Sequence, residues 1–194
     1  MRILLASSNP GKLREYRELA AGTALEIDLL PDFEKLPAFD ESAETFAENS
    51  AGKALHHSRF TGEMVLADDS GLIVPALGGA PGVRSARYAG ANATSAECVA
   101  KLLHEMQGKS GDERRARFVC VISVARQGRA VAIVSDLAEG FIAGEPHGAN
   151  GFGYDPVFYF PDRTRTYAEA SGEDKNRVSH RGKAFRRLVD VLKP

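Results

Sequence analysis

The chain opens on a short apolar cluster, Ile3-Leu4-Leu5-Ala6, and residues 2–6 are predicted as a buried strand. The spacing then changes. Leu13, Tyr16, Arg17 and Ala20 recur at three- and four-residue steps, so 11–21 reads as a helix. A second strand is expected near 25–30, followed by an acidic, proline-punctuated loop to Ser42. Thr45 with Glu48 three residues on forms a capping-box pattern and predicts a helix to about Phe60, stopped before Gly62. Residues 64–67 (MVLA) read as a strand that ends in Asp68-Asp69-Ser70-Gly71. The stretch LGGAPGVRSARYAG is too irregular for an element, and Thr94 with Glu97 opens another helix to about Met106. Residues 116–125 and 130–139 are β-rich runs around Arg126-Gln127-Gly128-Arg129, a hairpin pattern. A Gly-rich segment (GEPHGANGFGYDP) precedes a short strand at about 157–160, and a basic helix is expected over about 181–192. Strand–helix units beside a hairpin predict an α/β fold with a mixed sheet. No repeat, low-complexity tract or linker divides the 194 residues, so one domain, 1–194, is expected.

Composition narrows the class. With 43% hydrophobic and 26% charged residues, the chain is a folded, soluble protein rather than a disordered one. A net charge of −1 argues against a chain that coats nucleic acid or an anionic membrane. That neutrality is a sum of opposites. Glu26–Asp69 holds eleven acids against three bases, and residues 162–194 hold nine bases against five acids. Either these are two solvated faces, or a metal-binding stretch is matched with a phosphate-binding one. Cys98 and Cys120 lie among apolar neighbours and read as buried free thiols of a reducing cytosol. The first ten residues carry too short an apolar run for a signal peptide, and no run approaches the ~18 residues of a membrane span. A cytoplasmic protein with no membrane partner is expected.

Five segments carry candidate chemistry. Ser7-Ser8-Asn9-Pro10-Gly11-Lys12 lies between a strand and a helix, where backbone N–H groups, a helix N-terminus and a lysine suit phosphate; an ordinary turn with an exposed lysine is the plain alternative. Asp68-Asp69-Ser70 at a strand's end suits Mg²⁺, which takes few carboxylates and keeps water and phosphate oxygens. Strand alternation sends the two aspartates to opposite faces, so only one need touch the ion. Glu41, just before the capped helix, can supply a second carboxylate, and Phe46, Asn49, Ser50 and Lys53 share one helical face. Phe152-Gly153-Tyr154-Asp155 interleaves aromatics with glycine, apt for a nucleobase or simply a turn entering a strand. In the basic segment Lys175 to Lys183, Ser179, His180 and Arg181 cluster donors at a helix start. A Ser179/His180 triad is excluded, because adjacent residues do not face one another for proton transfer.

Taken together, LASSNPGK, ETFAENSAGKA, LADDSGL, LGGAPGVRSARYAG, GFGYDPVF and EDKNRVSHRGKA closely resemble, in order and spacing, the inosine/xanthosine triphosphate pyrophosphatase family. The resemblance runs from Leu4 to about Leu188. It implies an elongated α/β fold around a long mixed sheet with a cleft between two lobes, usually a homodimer. It implies Mg²⁺-dependent hydrolysis of a deaminated purine nucleoside triphosphate to the monophosphate and pyrophosphate. By that resemblance Asp69 is the proton acceptor and, with Glu41, a metal ligand. Ser7–Lys12, Lys53, Ser70, Phe152, Gly153, Tyr154, Asp155, Lys175, His180 and Arg181 match the substrate contacts. Ser7-Ser8 stands where Thr-Gly is common, and Ser50 where Ala is frequent. Lys12, Lys53 and Lys175 are expected to offset charge on the leaving group, and His180 and Arg181 to donate to the purine 6-oxo group. A Maf-like pyrimidine or modified-nucleotide pyrophosphatase and a non-catalytic nucleotide-binding module are the alternatives; no stable nucleic-acid partner is expected.

Overall fold

The computed structural model describes every residue except Arg163 and Pro194, so Arg163, one of the nine C-terminal bases, lies outside the described residues. Eleven elements follow in order: β1 (Arg2–Leu5), α1 (Pro10–Ala20), β2 (Glu26–Leu29), α2 (Phe46–His57), β3 (Met64–Ile73), α3 (Ser95–Glu105), β4 (Arg115–Arg126), β5 (Arg129–Ile142), β6 (Phe158–Tyr159), α4 (Gly172–Val178) and α5 (His180–Leu192). The strands form a six-stranded sheet in the order β2-β1-β3-β4-β5-β6. β1 is parallel to β2 and β3, while β5 and β6 are antiparallel, so the sheet is mixed as the pattern predicted. β4 and β5 are joined by Gln127-Gly128, both at positive φ (50° and 75°), the sign a tight primed hairpin turn needs.

The chain divides into two compact units, and no single break in sequence separates them. The first is residues 1–69, 120–136 and 181–194; the second is residues 70–119 and 137–180. In the first unit both faces of the parallel strands are covered, as buried parallel sheets require. Ile3, Leu5 and Leu66 point to one face and pack with Tyr16 and Ala20 of α1 and Phe185 and Leu188 of α5. Leu4, Ala6, Val65 and Ala67 point to the other and pack with Ala54 of α2. The second unit has its own core, built from Leu102 and Met106 below α3 with Phe118, Val157, Phe158 and Tyr167.

The structure departs from the pattern in three places. β3 does not stop at Ala67 but runs through Asp68-Asp69-Ser70-Gly71 to Ile73. Asp, Ser and Gly are poor strand formers; the register with β1 ends at Leu66, and the place of β3 beside β4 in the sheet overrides that local preference. The segment after β3, too irregular for a predicted element, folds as 3₁₀ turns at Pro75–Leu77 and Gly82–Arg87. The helix α4 was not expected; Ser171 caps it by accepting from the Asp174 N–H. Both cysteines are buried and free. Among the described residues no helix is long and apolar enough to cross a membrane.

Candidate active site

The period of two along β3 sorts the site. Asp68 shares the face of Leu66, so it meets α1 and α5; Asp69 shares the face of Val65 and Ala67, so it meets α2. The two environments have little in common.

Asp68 is wholly buried, and two cations reach it. Lys12 Nζ lies 2.9 Å from its Oδ1, and Arg181 donates to Oδ2 at 3.2 Å. Burial alone would raise the Asp68 carboxyl, but the Lys12 ammonium and the Arg181 guanidinium overcome that and hold it well below its ordinary value. Arg181 is itself only 2% exposed and also donates to Glu15 of α1 at 2.5 Å. Two carboxylates therefore balance one guanidinium and one ammonium. Arg181, expected from the sequence to read a base, lies between Glu15 and Asp68 as their counter-ion.

Asp69 meets a neutral donor on the other face. Its Oδ2 accepts from Asn49 Nδ2 at 3.0 Å, across to α2. Burial pushes the Asp69 carboxyl above its ordinary value, and the nearby Glu41 and Asp68 charges add to the rise, against the Asn49 hydrogen bond and Lys12. Glu41 is the most open member of the group and accepts from Lys53 Nζ at 2.9 Å. The stripe on α2 thus turns inward as spaced, with Asn49, Ser50 and Lys53 all buried. Ser50 Oγ sits within hydrogen-bond distance of the Ala67 and Val121 carbonyls and of Ser123 Oγ, which seats α2 on β3 and β4.

The loop before α1 is more self-contained than expected. Asn9 Oδ1 accepts from the Gly11 and Lys12 N–H groups, and the Asn9 N–H itself donates to Ser7 Oγ. Pro10 has no N–H. Three backbone donors foreseen for phosphate are therefore spent on the helix cap, and what the loop presents outward is the exposed Ser8 and the Lys12 side chain.

The remaining candidates belong to the second unit. Asp155 Oδ2 accepts from the Phe152 N–H at 2.8 Å and from Lys175 Nζ at 2.5 Å. Lys175 is 4% exposed and lies over the rings of Phe152 (5.0 Å) and Tyr167 (5.8 Å). Lys175, expected to offset charge on the leaving group, also braces the 152–155 turn through Asp155. Tyr154, expected among the substrate contacts, is buried in the core of the second unit, its hydroxyl donating to the Ser85 carbonyl. Phe152 and Gly153 remain half-buried. His180 stacks on Phe118 with ring centroids 4.6 Å apart and planes 12° apart. Ser70 is half-buried within β3.

Glu15, Asn49 and Ser50 complete the site and were not assigned roles from the sequence. The signal for the last two was the polar stripe on α2. Glu15 had none, since a glutamate in a helix is ordinarily solvated.

With this geometry in place, comparison with known proteins is specific. The sequence profile of the Ham1 family matches residues 3–191. The chain belongs to the Ham1 family. A Ham1 protein from Coxiella burnetii superposes with a TM-score of 0.86 at 43% identity, covering 99% of this chain and 98% of that one. A dITP/XTP pyrophosphatase from Geobacillus kaustophilus is 49% identical over 96% of this chain and 91% of its own length. Another dITP/XTP pyrophosphatase, from Streptococcus agalactiae, is 46% identical over 98% of this chain, which spans 59% of that relative. The donor set of this Ham1 chain also bears on a metal. Among the described residues no group of three or more His, Cys, Asp or Glu is placed to hold an ion. Glu41 and Asp69 are two carboxylates on one side of β3, and Mg²⁺ needs few more when phosphate and water complete its shell. Asp68, already balanced by two cations, is not available to it.

Proposed function

We propose that this chain hydrolyses deaminated purine nucleoside triphosphates, those of inosine, deoxyinosine and xanthosine, to the monophosphate and pyrophosphate, with Mg²⁺ held by Glu41 and Asp69. The observation that carries the reading is the division of labour between adjacent aspartates. One is neutralised inside an ion-pair group and held low; the other is raised by burial and accepts from the neutral Asn49 amide. Carboxylates whose environments push their proton affinities apart are the mark of acid–base chemistry.

In this reading Asp69 accepts the proton of a water that attacks the α-phosphorus, while the α–β bridging oxygen leaves with pyrophosphate. A carboxylate more basic than usual suits that task. Lys53 and Lys12 stand on either side of Asp69 to offset phosphate charge, Lys12 from its seat on Asp68. When bound, Mg²⁺ supplies Lewis-acid stabilisation of the phosphate oxygens. For the base, the reading keeps His180 as a donor to a 6-oxo group, with Phe152 and Gly153 as contacts and Lys175 and Asp155 fixing their turn. An adenine 6-amino group would leave such donors unpaired. Buried free thiols and the absence of a spanning helix among the described residues support work on the free nucleotide pool of the cytoplasm, and we extend the reading to a homodimer.

The test is pyrophosphate release from inosine, xanthosine, guanosine, adenosine and thymidine triphosphates, with Mg²⁺ and with a chelator. Turnover confined to 6-oxo purines and abolished by chelation is expected. Preference for thymidine triphosphate would move the chain to the Maf-like reading, and binding without release would make it a nucleotide-binding module.

A further inference from the structure

Asn49 lies on α2 with 1% of its surface exposed, and all of its amide has work to do. Its Oδ1 accepts from the Ala43 N–H at 3.0 Å, and its Nδ2 donates to the Ala43 carbonyl at 3.3 Å and to Asp69 Oδ2 at 3.0 Å. One side chain therefore grips both backbone polar groups of Ala43, two residues past Glu41, and holds one carboxylate oxygen of Asp69. Two further residues of the same helix hold the same segment. The Phe39 ring sits over Gly52, where an added Cβ would come within 2.3 Å of Cζ, and Lys53 donates to Glu41. Residues 39–43 have no helix or strand of their own, and these contacts, with the Phe39 ring 5.9 Å from that of His56, lay the segment along α2.

We infer that Asn49 is the positioning residue that fixes Glu41 and Asp69 to one frame, so that two carboxylates from separate segments form a preorganised pair for a divalent cation. The inference rests on the reading of Glu41 and Asp69 as that cation's ligands. An amide is suited to the task where a charged side chain is not. It donates to Asp69 without neutralising it, and it accepts from Ala43 with the same planar group. A lysine in its place would compete with the cation, and a carboxylate would repel Asp69. The carboxylates alone would have to be ordered by the ion at each binding event, and that ordering weakens affinity and loosens the geometry of the reacting groups.

The experiment uses the full chain with Asn49→Ala and the volume-keeping Asn49→Leu. Folding is checked by circular dichroism and thermal unfolding. Mn²⁺ is then titrated and the free ion followed by electron paramagnetic resonance, and pyrophosphate release is measured at saturating metal. A folded variant is expected to bind Mn²⁺ roughly 5-fold or more weaker and to lose about 10-fold or more in kcat, with KM for inosine triphosphate changed less than about 2-fold. Mn²⁺ affinity and kcat both within about 2-fold of the wild type would overturn the inference. If neither variant folds, hydrogen exchange of the wild-type chain decides. The Ala43 amide is expected to exchange at least about 100-fold slower than an open peptide, and exchange at the open rate would overturn the proposal. A wild type that releases pyrophosphate without a metal would instead remove the reading beneath it.

Discussion

The side chains of Asp68 and Asp69 leave β3 on opposite faces, and what each meets there decides its chemistry. Removing the charge of Asp69 takes away the proposed proton acceptor and proposed metal ligand but leaves a hydrogen-bonding partner for Asn49 in an isosteric side chain. Asp69→Asn is therefore expected to fold with an unchanged denaturation midpoint while kcat drops by at least ~10²-fold. Removing the charge of Asp68 leaves the buried Arg181 and Lys12 with one carboxylate, that of Glu15, between them. Breaking such a group from one side costs about 3–5 kcal/mol. Asp68→Asn should show that loss in urea unfolding, with whatever activity survives tracking the folded fraction. Equal midpoints for the two variants would refute the division of roles. The opposite orientation of the pair was legible from strand periodicity alone. Which aspartate is neutralised was not, because one of the cations on Asp68 comes from a residue 113 positions away, a distance over which periodicity says nothing.

At the scale of elements, α2 is the template on which the segment 39–43 is laid, and Gly52 leaves the space for it. An alanine there gains roughly 0.5–1 kcal/mol of helix propensity but meets the far edge of the Phe39 ring at 2.3 Å. The ring is partly exposed and can swing away, so Gly52→Ala should leave global stability within about 1 kcal/mol of wild type. Its cost should fall on activity, by about 5-fold in kcat/KM, because Glu41 loses one of its flanking anchors. Phe39→Ala should lose as much, and the double variant no more than either alone; full additivity in that cycle would show that the two do not act through one contact. Elements of this kind were largely legible. Thr94 and Glu97 form the reciprocal box their spacing implies, Thr45 accepts from the Glu48 N–H, and the hairpin turns at Gln127-Gly128. What the pattern missed depends on tertiary partners. β3 carries Asp, Ser and Gly because its place beside β4 holds them in line, and the spare N–H groups before α1 vanish because Asn9 turns back on them.

At the scale of the molecule, the first unit is assembled from three separate stretches of chain, and Arg181 ties the last to the first. It pairs with Glu15, 166 positions earlier, and with Asp68 at the end of the first stretch. Arg181, from the basic C-terminal stretch that pattern and composition marked for substrate, is thus also part of the architecture. The consequence is visible in acid. The Asp68 carboxyl is held below its unfolded value of 3.8, so the unfolded chain takes up that proton first as the pH drops. Its stabilisation is complete well above that value and is lost as the pH falls through it toward the depressed folded value. In Arg181→Ala burial still raises Asp68, with one of its opposing cations gone, so the carboxyl moves up. The variant should lose about 3–5 kcal/mol in urea at neutral pH and begin acid unfolding roughly one pH unit above the wild type. Loss of inosine triphosphate turnover in this variant would then follow the unfolded fraction across temperature. A variant with wild-type urea and acid midpoints, yet without turnover, would return Arg181 to the substrate and take the stitch out of the fold.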